Sequence, residues 1–301
     1  MNAKKILVMI FMLCATQHLY GAVTAVYNLR MAETTKRDPA HDIFKRPSIA
    51  TVTLFDQWRK KGDETHEVIG GPLLSYNYLK YPFYFRVDFA FANASQEKDS
   101  IHFSRTQTDD LLFSAGYDYA LSELMRFTFS GLLGIPTHKD DFLTGVQFGY
   151  AHVGLGAQID GSFGFDFNPN QSIRTAARYI RFFPRTATQC VDGVDEKYTY
   201  NPGNLADMFV SLHNKFGLNR LEFGYNPSFL FGSTICPEIA DFATKNGFIR
   251  NSFYGNYKRL FYVGDYLNAL QASISYGFDI RPKFIGRKRI INIWGSWIIN
   301  F

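Results

Sequence analysis

The chain has 301 residues, enough for one large β domain or two ordinary domains. Its formal net charge of +5 is weak for this length and forms no basic stripe, which argues against nucleic-acid binding. No run after residue 22 approaches ~18 consecutive apolar residues, which excludes a bundle of membrane-spanning helices.

Residues 1–22 have the pattern of a secretory signal peptide. Lys4 and Lys5 precede the apolar run 6–15, and small residues follow it. The run is too short for a spanning helix, so we expect cleavage near residues 21–25. Because both lysines leave with the peptide, the formal charge of the exported chain falls to +3.

Residues 23–47 carry several charges, among them Arg30, Lys36 and Arg37, and show little β periodicity. We predict a periplasmic N-terminal tail here, with an extra strand or a plug folded into the following domain as alternatives. No repeat or low-complexity tract divides residues 48–301, which we take as one domain.

From residue 48 onward, apolar and polar residues alternate with the period of two that is typical of β-strands. In the segment 83–91, Phe83 and Phe85 lie on one face while Arg86 and Asp88 lie on the other. Charged residues in mid-strand require a wet side along the whole sheet. The pattern predicts twelve strands, near 48–58, 66–78, 82–93, 109–119, 123–133, 142–167, 173–184, 205–216, 219–232, 247–262, 267–280 and 289–301.

Short and long connections alternate between these strands. Short ones fall near 79–81, 120–122, 168–172, 217–218 and 263–266, and longer ones near 59–65, 94–108, 134–141, 185–204, 233–246 and 281–288. Segment 142–167 is longer than one membrane-spanning strand needs to be. Its apolar residues change from one strand face to the other near Gly154 and Gly156, and a β-bulge there would account for the change. Two strands in this segment would upset the count, and fourteen strands are the alternative to twelve.

Alternation alone fits either a β-sandwich or a membrane barrel. In the sandwich the apolar faces pack on each other, whereas in the barrel they face lipid and the polar faces line the interior. The export signal, the 17% aromatic content and the strict alternation of loop lengths favour a closed antiparallel transmembrane barrel with short periplasmic turns and longer extracellular loops.

The last strand carries a further signal. Trp297, Ile299 and the terminal Phe301 share one face of the segment 289–301. Taken together, the signal peptide, the alternating strands and this C-terminal pattern resemble those of the porin-like outer-membrane β-barrel proteins of Gram-negative-type bacteria. The resemblance implies an outer-membrane location, lipid and the barrel-insertion machinery as partners, and an assembly signal at these three residues. It identifies an architecture and no activity.

Strand parity also predicts which polar side chains point inward. These pore-lining candidates are Arg86, Asp88, Asp110, Asp118, Arg126, Gln158, Asp160, Asp166, Arg174, Arg178, Asp207, His213, Lys215, Glu222, Arg250, Lys258, Gln271 and Asp279. Such a lining predicts a passive channel for small polar solutes, whose selectivity is set by fixed charges. The alternative is that these groups pair with one another and fill a narrow interior.

Two other functions remain open. Ser211 and His213 share a strand face near Asp207, and His152 lies near the suspected bulge, so a lipid-acting hydrolase is the runner-up. Its support is weak, because same-face residues two apart are loosely placed and no nucleophile elbow or zinc motif occurs. The remaining histidines lack ligand spacing, and we predict neither a metal nor a cofactor.

The third possibility is a surface-binding or structural barrel that acts through its extracellular loops. Cys190 and Cys236 are the two cysteines left after cleavage, and an even pair in an exported chain predicts a disulfide. They lie in the predicted loops 185–204 and 233–246, which flank one strand hairpin, so the bond would join the two loops.

Overall fold

The computed structural model describes residues 48–61, 65–80, 82–98, 101–108, 111–137, 153–191, 194–200, 203–231, 248–263, 266–281 and 288–300. The predicted signal peptide 1–22 and the predicted tail 23–47 lie outside these ranges, as do Cys236 and Phe301. Among the described residues, no helix is long and apolar enough to cross a membrane.

The described chain is built from antiparallel β-strands, which confirms the predicted all-β class. The strands are β1 (Ser48–Lys61), β2 (Thr65–Lys80), β3 (Phe83–Lys98), β4 (Ile101–Thr108), β5 (Leu111–Ala120), β6 (Met125–Ile135), β7 (Gly154–Phe165), β8 (Asn168–Phe182), β9 (Arg185–Val191), β10 (Val194–Tyr200), β11 (Asn204–Phe216), β12 (Asn219–Phe231), β13 (Phe248–Val263), β14 (Tyr266–Arg281) and β15 (Lys288–Asn300).

One large sheet holds all of these strands except β9 and β10. Its order is β2, β1, β15, β14, β13, β12, β11, β8, β7, β6, β5, β3 and β4. In addition, β2 pairs with β3 along most of its length, from Lys80 opposite Phe83 to His66 opposite Glu97. Near its start β3 pairs with β5, and from Phe91 onward it pairs with β4. Strands β9 and β10 form a separate two-stranded hairpin.

The two faces of the large sheet have the reverse of the usual polarity. In β3, Arg86 and Asp88 are 1% and 2% exposed, whereas Phe83 and Phe85 are 61% and 41% exposed. Strand β14 repeats the pattern, with Gln271 buried and Leu270 half exposed. We call the buried, mainly polar side the inner face and the exposed, mainly apolar side the outer face. Soluble proteins bury apolar side chains and seldom bury unpaired charges, so this sheet is built for other surroundings.

The inner face also holds two small apolar clusters. In one, the rings of Phe209 and Tyr254 stack with centroids 5.2 Å apart beside Ala176. The other consists of Leu132, Ile180, Phe182 and Leu205, with Leu230 packed against it. The space inside the sheet is therefore partly filled by the chain itself.

Tight turns set the register at one end of the sheet. Gly217 and Leu218 connect β11 to β12, and Gly217 has a φ of 58°, a left-handed conformation that glycine adopts without strain. Because this turn has only two residues, Phe216 is opposite Asn219 and the strands continue in step from there. Asp166 and Phe167 make a similar connection between β7 and β8.

Each of the twelve predicted strands corresponds to an observed one, but three strands were missed. The predicted loop 94–108 was wrong, since it contains the end of β3 and all of β4, and the predicted loop 185–204 contains the β9–β10 hairpin. The predicted connection 168–172 was also wrong, because these residues begin β8.

The long segment 142–167 stays partly untested, since 142–152 lie outside the described residues. Within β7, the pairing with β8 is regular from Gly154 onward and shifts only between Gly164 and Phe165.

Candidate functional site

The structure places most of the predicted pore-lining residues on the inner face. The buried ones are Arg86, Asp88, Gln158, Asp160, Arg174, Arg178, Asp207, His213, Glu222, Lys258 and Gln271. The half-buried ones are Asp118, Arg126, Lys215 and Arg250. Polar side chains thus occupy the inner face on most strands of the large sheet.

Three members of the predicted set differ. Asp166 was wrongly assigned to this face, because β7 ends at Phe165 and Asp166 lies exposed in the turn. Asp110 lies outside the described residues. Asp279 belongs to β14, opposite Arg250, and only its backbone is described.

On β3 and on β7, inner-face carboxylates accept hydrogen bonds from side chains of their own strand. Arg86 donates from Nε to both carboxylate oxygens of Asp88, at 2.8 and 2.9 Å, and from Nη2 to Ser75 at 3.2 Å. Gln158 donates from Nε2 to both oxygens of Asp160 at 2.8 Å. Residues two apart in a strand share a face, so each pair needs no long-range contact to form.

A second ion pair joins β8 to β11. Arg178 donates to Asp207 Oδ2 from Nε at 2.9 Å and also from Nη2. The two residues are directly opposite in the register of these strands, and both are almost fully buried. Buried charges are tolerated when they are paired in this way, so the pair fixes part of the wall in one conformation.

Glu222 is the centre of a hydrogen-bond network that spans three strands. Ser211 donates to Oε1 at 2.7 Å, Tyr254 donates to Oε1 at 3.1 Å, and Asn256 donates to Oε2 at 3.3 Å. All four side chains are buried. Neutral donors therefore occupy both oxygens of this carboxylate.

A row of basic residues lies next to this network, at the end of the sheet that carries the β11–β12 turn. Lys215 is directly opposite Arg220 on β12, and Arg220 is directly opposite Lys258 on β13. His213 lies two residues before Lys215 on the same face of β11 and is directly opposite Glu222. The electrostatic neighbours of His213 are Lys215, Arg220, Lys258 and Arg174 on β8. We call these five side chains the basic cluster.

Uncharged polar residues contribute more to the inner face than the sequence analysis recognised. Asn77, Asn226 and Asn256 are buried there, as are several serines, and Tyr84 donates to Ser130. The same parity that identified the charged residues would have identified these, because they alternate with apolar neighbours in the same strands.

The geometry does not assemble the hydrolase pair. Both Ser211 and His213 are buried on the inner face, away from the outer face on which a lipid substrate would lie. The hydroxyl of Ser211 donates to Glu222, and among the described residues His213 Nδ1 has no hydrogen-bond partner. His152 lies outside the described residues.

The other predicted sites are described only in part. Trp297 is exposed on the outer face and Ile299 is half-buried, while Phe301 lies outside the described residues. The disulfide stays a prediction, because Cys236 is likewise not described and only the backbone of Cys190 is, within β9. Within the described ranges, no three His, Cys, Asp or Glu side chains are grouped closely enough to hold a metal ion.

A groove of about 420 Å³ lies on the outer face, between β6 and β12. Most of the side chains along it are apolar, including Phe127, Ile159 and Met208. The groove offers little to recognise a polar solute, so the inner face with its charged and amide side chains is the candidate functional site.

Comparisons with known proteins agree with this architecture. No family model matches the chain, and no curated protein matches it. Among solved structures, the COG4313 outer membrane channel from Pseudomonas putida F1 is similar with a TM-score of 0.63 at 11% identity, over 85% of this chain and 97% of the other. The β domain of the Bordetella autotransporter Brka is similar with a TM-score of 0.52 at 11% identity, over 85% of this chain and 100% of the other.

At such low identity the likeness concerns the fold. The chain has the fold of the bacterial outer-membrane β-barrels, as its C-terminal pattern and alternating strands predicted.

Proposed function

We propose that the chain is a channel of the bacterial outer membrane that conducts small polar solutes passively along its inner face. The observation that carries the proposal is the reversed polarity of the sheet, with Arg, Asp, Asn and Ser buried and Phe, Tyr, Ile and Leu exposed. In water, the outer face would present a far larger apolar surface than soluble proteins expose. In a bilayer, the outer face meets lipid and the inner face meets water.

The strand pairings support a closed barrel of twelve strands. The succession β1, β2, β3, β5, β6, β7, β8, β11, β12, β13, β14, β15 returns to β1, because β15 pairs with β1 and β2 pairs with β3. Closure suits a membrane, since an open strand edge would leave N–H and C=O groups without partners in lipid. On this proposal the short turns face the periplasm, and β4 and the β9–β10 hairpin belong to the extracellular side.

The similarity to an outer-membrane channel supports this function over the two alternatives. The hydrolase lacks support, because Ser211 is bonded to Glu222 and His213 lies on the inner face. Export through a cleaved signal peptide at 1–22, insertion by the assembly machinery and a periplasmic tail at 23–47 complete the proposal.

Reconstitution into planar lipid bilayers tests the channel. We expect discrete conductance steps from the purified, folded protein, and none from the same preparation after heat denaturation. A variant that begins at residue 48 serves as the matched comparison: larger steps than those of the longer chain would identify residues 23–47 as a plug. A bilayer that stays sealed at every voltage with both folded forms would refute the channel.

A further inference from the structure

We propose that the groove on the outer face, between β6 and β12, is a binding site for one hydrocarbon chain of a membrane lipid. The inference goes beyond the channel function, since the groove and the pore lining are on opposite faces of the sheet. It rests on the membrane location that is part of the proposed function, because only there does the outer face meet lipid.

The register of the strands gives the groove its shape. One row of directly opposite outer-face positions, from β6 to β12, consists of Phe127, Gly161, Thr175, Val210 and Tyr225. This row has an aromatic ring at each end and smaller residues in the middle. The next row repeats the pattern with Ile159, Ala177 and Met208. All eight residues line the groove, and we call Gly161, Thr175 and Ala177 its floor.

The groove lies at mid-height of the sheet. Thr175, Val210 and Tyr225 are the middle residues of β8, β11 and β12. In the proposed barrel this height corresponds to the hydrocarbon layer of the membrane, below the level of the polar head groups. None of the residues that line the groove is charged. A hydrocarbon chain therefore suits the groove better than a head group or a dissolved ion does.

The side of the groove formed by β11 and β12 contains an interruption of the strand pairing. The pairing of these strands skips Met208 and Phe209. Pro227 lies in this interval, and its nitrogen has no hydrogen to donate, so the side chain of Asn226 donates to the carbonyl of Met208 instead. Proline is normally confined to edge strands, whereas β12 is paired on both sides. Because Pro227 lines the groove, the departure from regular pairing occurs where the groove is formed.

A second copy of the chain fits the groove less well than a lipid chain. The outer wall of a barrel is convex, so a neighbouring barrel would rest on the large residues at the edges and leave the floor uncovered. A single hydrocarbon chain can lie along the floor and contact both edges. The volume of about 420 Å³ is within the range of about 300–1,000 Å³ that ligand pockets have in proteins. Since lipid chains and the groove are both apolar, the gain in free energy comes from van der Waals contacts.

Native mass spectrometry of the purified, folded protein tests the site. After palmitoyl-oleoyl phosphatidylethanolamine is added in detergent, the spectrum counts the lipids that stay bound. We expect one retained lipid, which Ala177→Phe binds roughly tenfold less tightly because the new ring occupies the floor. Ala272→Phe is the matched control, because Ala272 is exposed on the outer face of β14, which β13 separates from the groove. This control should retain the lipid as the unaltered protein does.

Competition identifies the part of the lipid that is bound. Palmitic acid should displace the lipid in a saturable way, whereas glycerophosphoethanolamine, which has the head group and no hydrocarbon chain, should not. Displacement by the head group alone would overturn the proposal. A dimer that Ala177→Phe dissociates would also overturn it, since the occupant would then be a second copy of the chain.

The remaining outcomes separate this site from the channel function. Equal retention by all three proteins would show that the lipid is held only as part of the general lipid shell, which refutes the site. Ala177→Leu and Ala272→Leu repeat the comparison should Ala177→Phe not fold. The lipid count needs no conductance, so a retained lipid in a protein that conducts nothing refutes only the channel. Conductance without a retained lipid refutes only the site.

Discussion

Tyr254 shows how single residues organise the inner face. Its ring stacks on Phe209, its hydroxyl donates to Glu222, and it lies across Gly224, the residue directly opposite it on β12. A Cβ added at Gly224 would overlap this ring. Tyr84 and Gly116 repeat the arrangement between β3 and β5. Each glycine thus gives room to an aromatic side chain that would otherwise have to leave its hydrogen bonds.

We therefore expect Gly224→Ala to destabilise the protein by about 1–3 kcal/mol, the usual cost of overpacking. The control is Gly131→Ala, because a Cβ at Gly131 meets nothing within 4 Å; here we expect a change of no more than about 0.5 kcal/mol. Urea unfolding of the protein in detergent measures both. Equal stability of the two variants would show that the ring of Tyr254 moves aside at no cost.

The sequence predicted single residues well where a short turn fixes the register. The two-residue turn at 217–218 was predicted, and it places Lys215 opposite Arg220 without further information. By contrast, β12 and β13 are joined by the long connection 232–247, so no local rule aligned Arg220 with Lys258. The basic cluster therefore could not be recognised before the strands were paired in space.

At the scale of elements, the strands that were found and those that were missed differ in their sequence pattern. A strand with one apolar and one polar face reveals itself by its period, as β14 does. In IHFSRTQT of β4 and VDEKYTY of β10, Arg105 and Glu196 interrupt the face that the apolar residues begin. No apolar period marks such strands, and this is why the loops 94–108 and 185–204 were predicted in their place.

The β9–β10 hairpin is an appendage of the large sheet. Its strands pair only with each other among the described residues, and the strands on either side of it are already adjacent, with Arg181 opposite Asn204. Under reducing conditions, which remove any contribution of the predicted Cys190–Cys236 disulfide, replacing residues 185–200 by a short Gly-Ser linker should therefore leave the stability within about 1 kcal/mol, since loop length changes closure entropy only slowly. Urea unfolding measures this stability.

Val210→Pro is the comparison for this change. Val210 is paired on both sides, with Thr175 and with Tyr225, and proline cannot donate to either neighbour. We expect this variant to lose the folded form, which migrates differently from heated protein in gel electrophoresis. If the chain without 185–200 behaves like Val210→Pro, the hairpin is an integral part of the fold.

For the whole molecule, the reversed polarity of the sheet and the closure of the proposed barrel serve the same end. Twelve described strands each have a neighbour on both sides, so their backbone groups need no water on the outer face. On the proposed barrel the inner face can then carry charges, because the same strands enclose it. The alternation along each strand was readable from the sequence, whereas the order of neighbours required the three-dimensional structure.

In lipid, the free-energy cost of a charge on the outer face depends on the depth of that charge in the bilayer. β14 allows this dependence to be tested with the same substitution at two positions along the strand. Ile274 and Ile280 are on the outer face and are 55% and 56% exposed, but Ile274 is at mid-strand and Ile280 is next to the strand end. On the proposed barrel, Ile274→Lys should cost about 2–4 kcal/mol and Ile280→Lys no more than about 1 kcal/mol. Urea unfolding in lipid vesicles measures both. Since the two sites are equally exposed, a protein dissolved in water would show the same small effect at each, and that result would refute the membrane-spanning sheet.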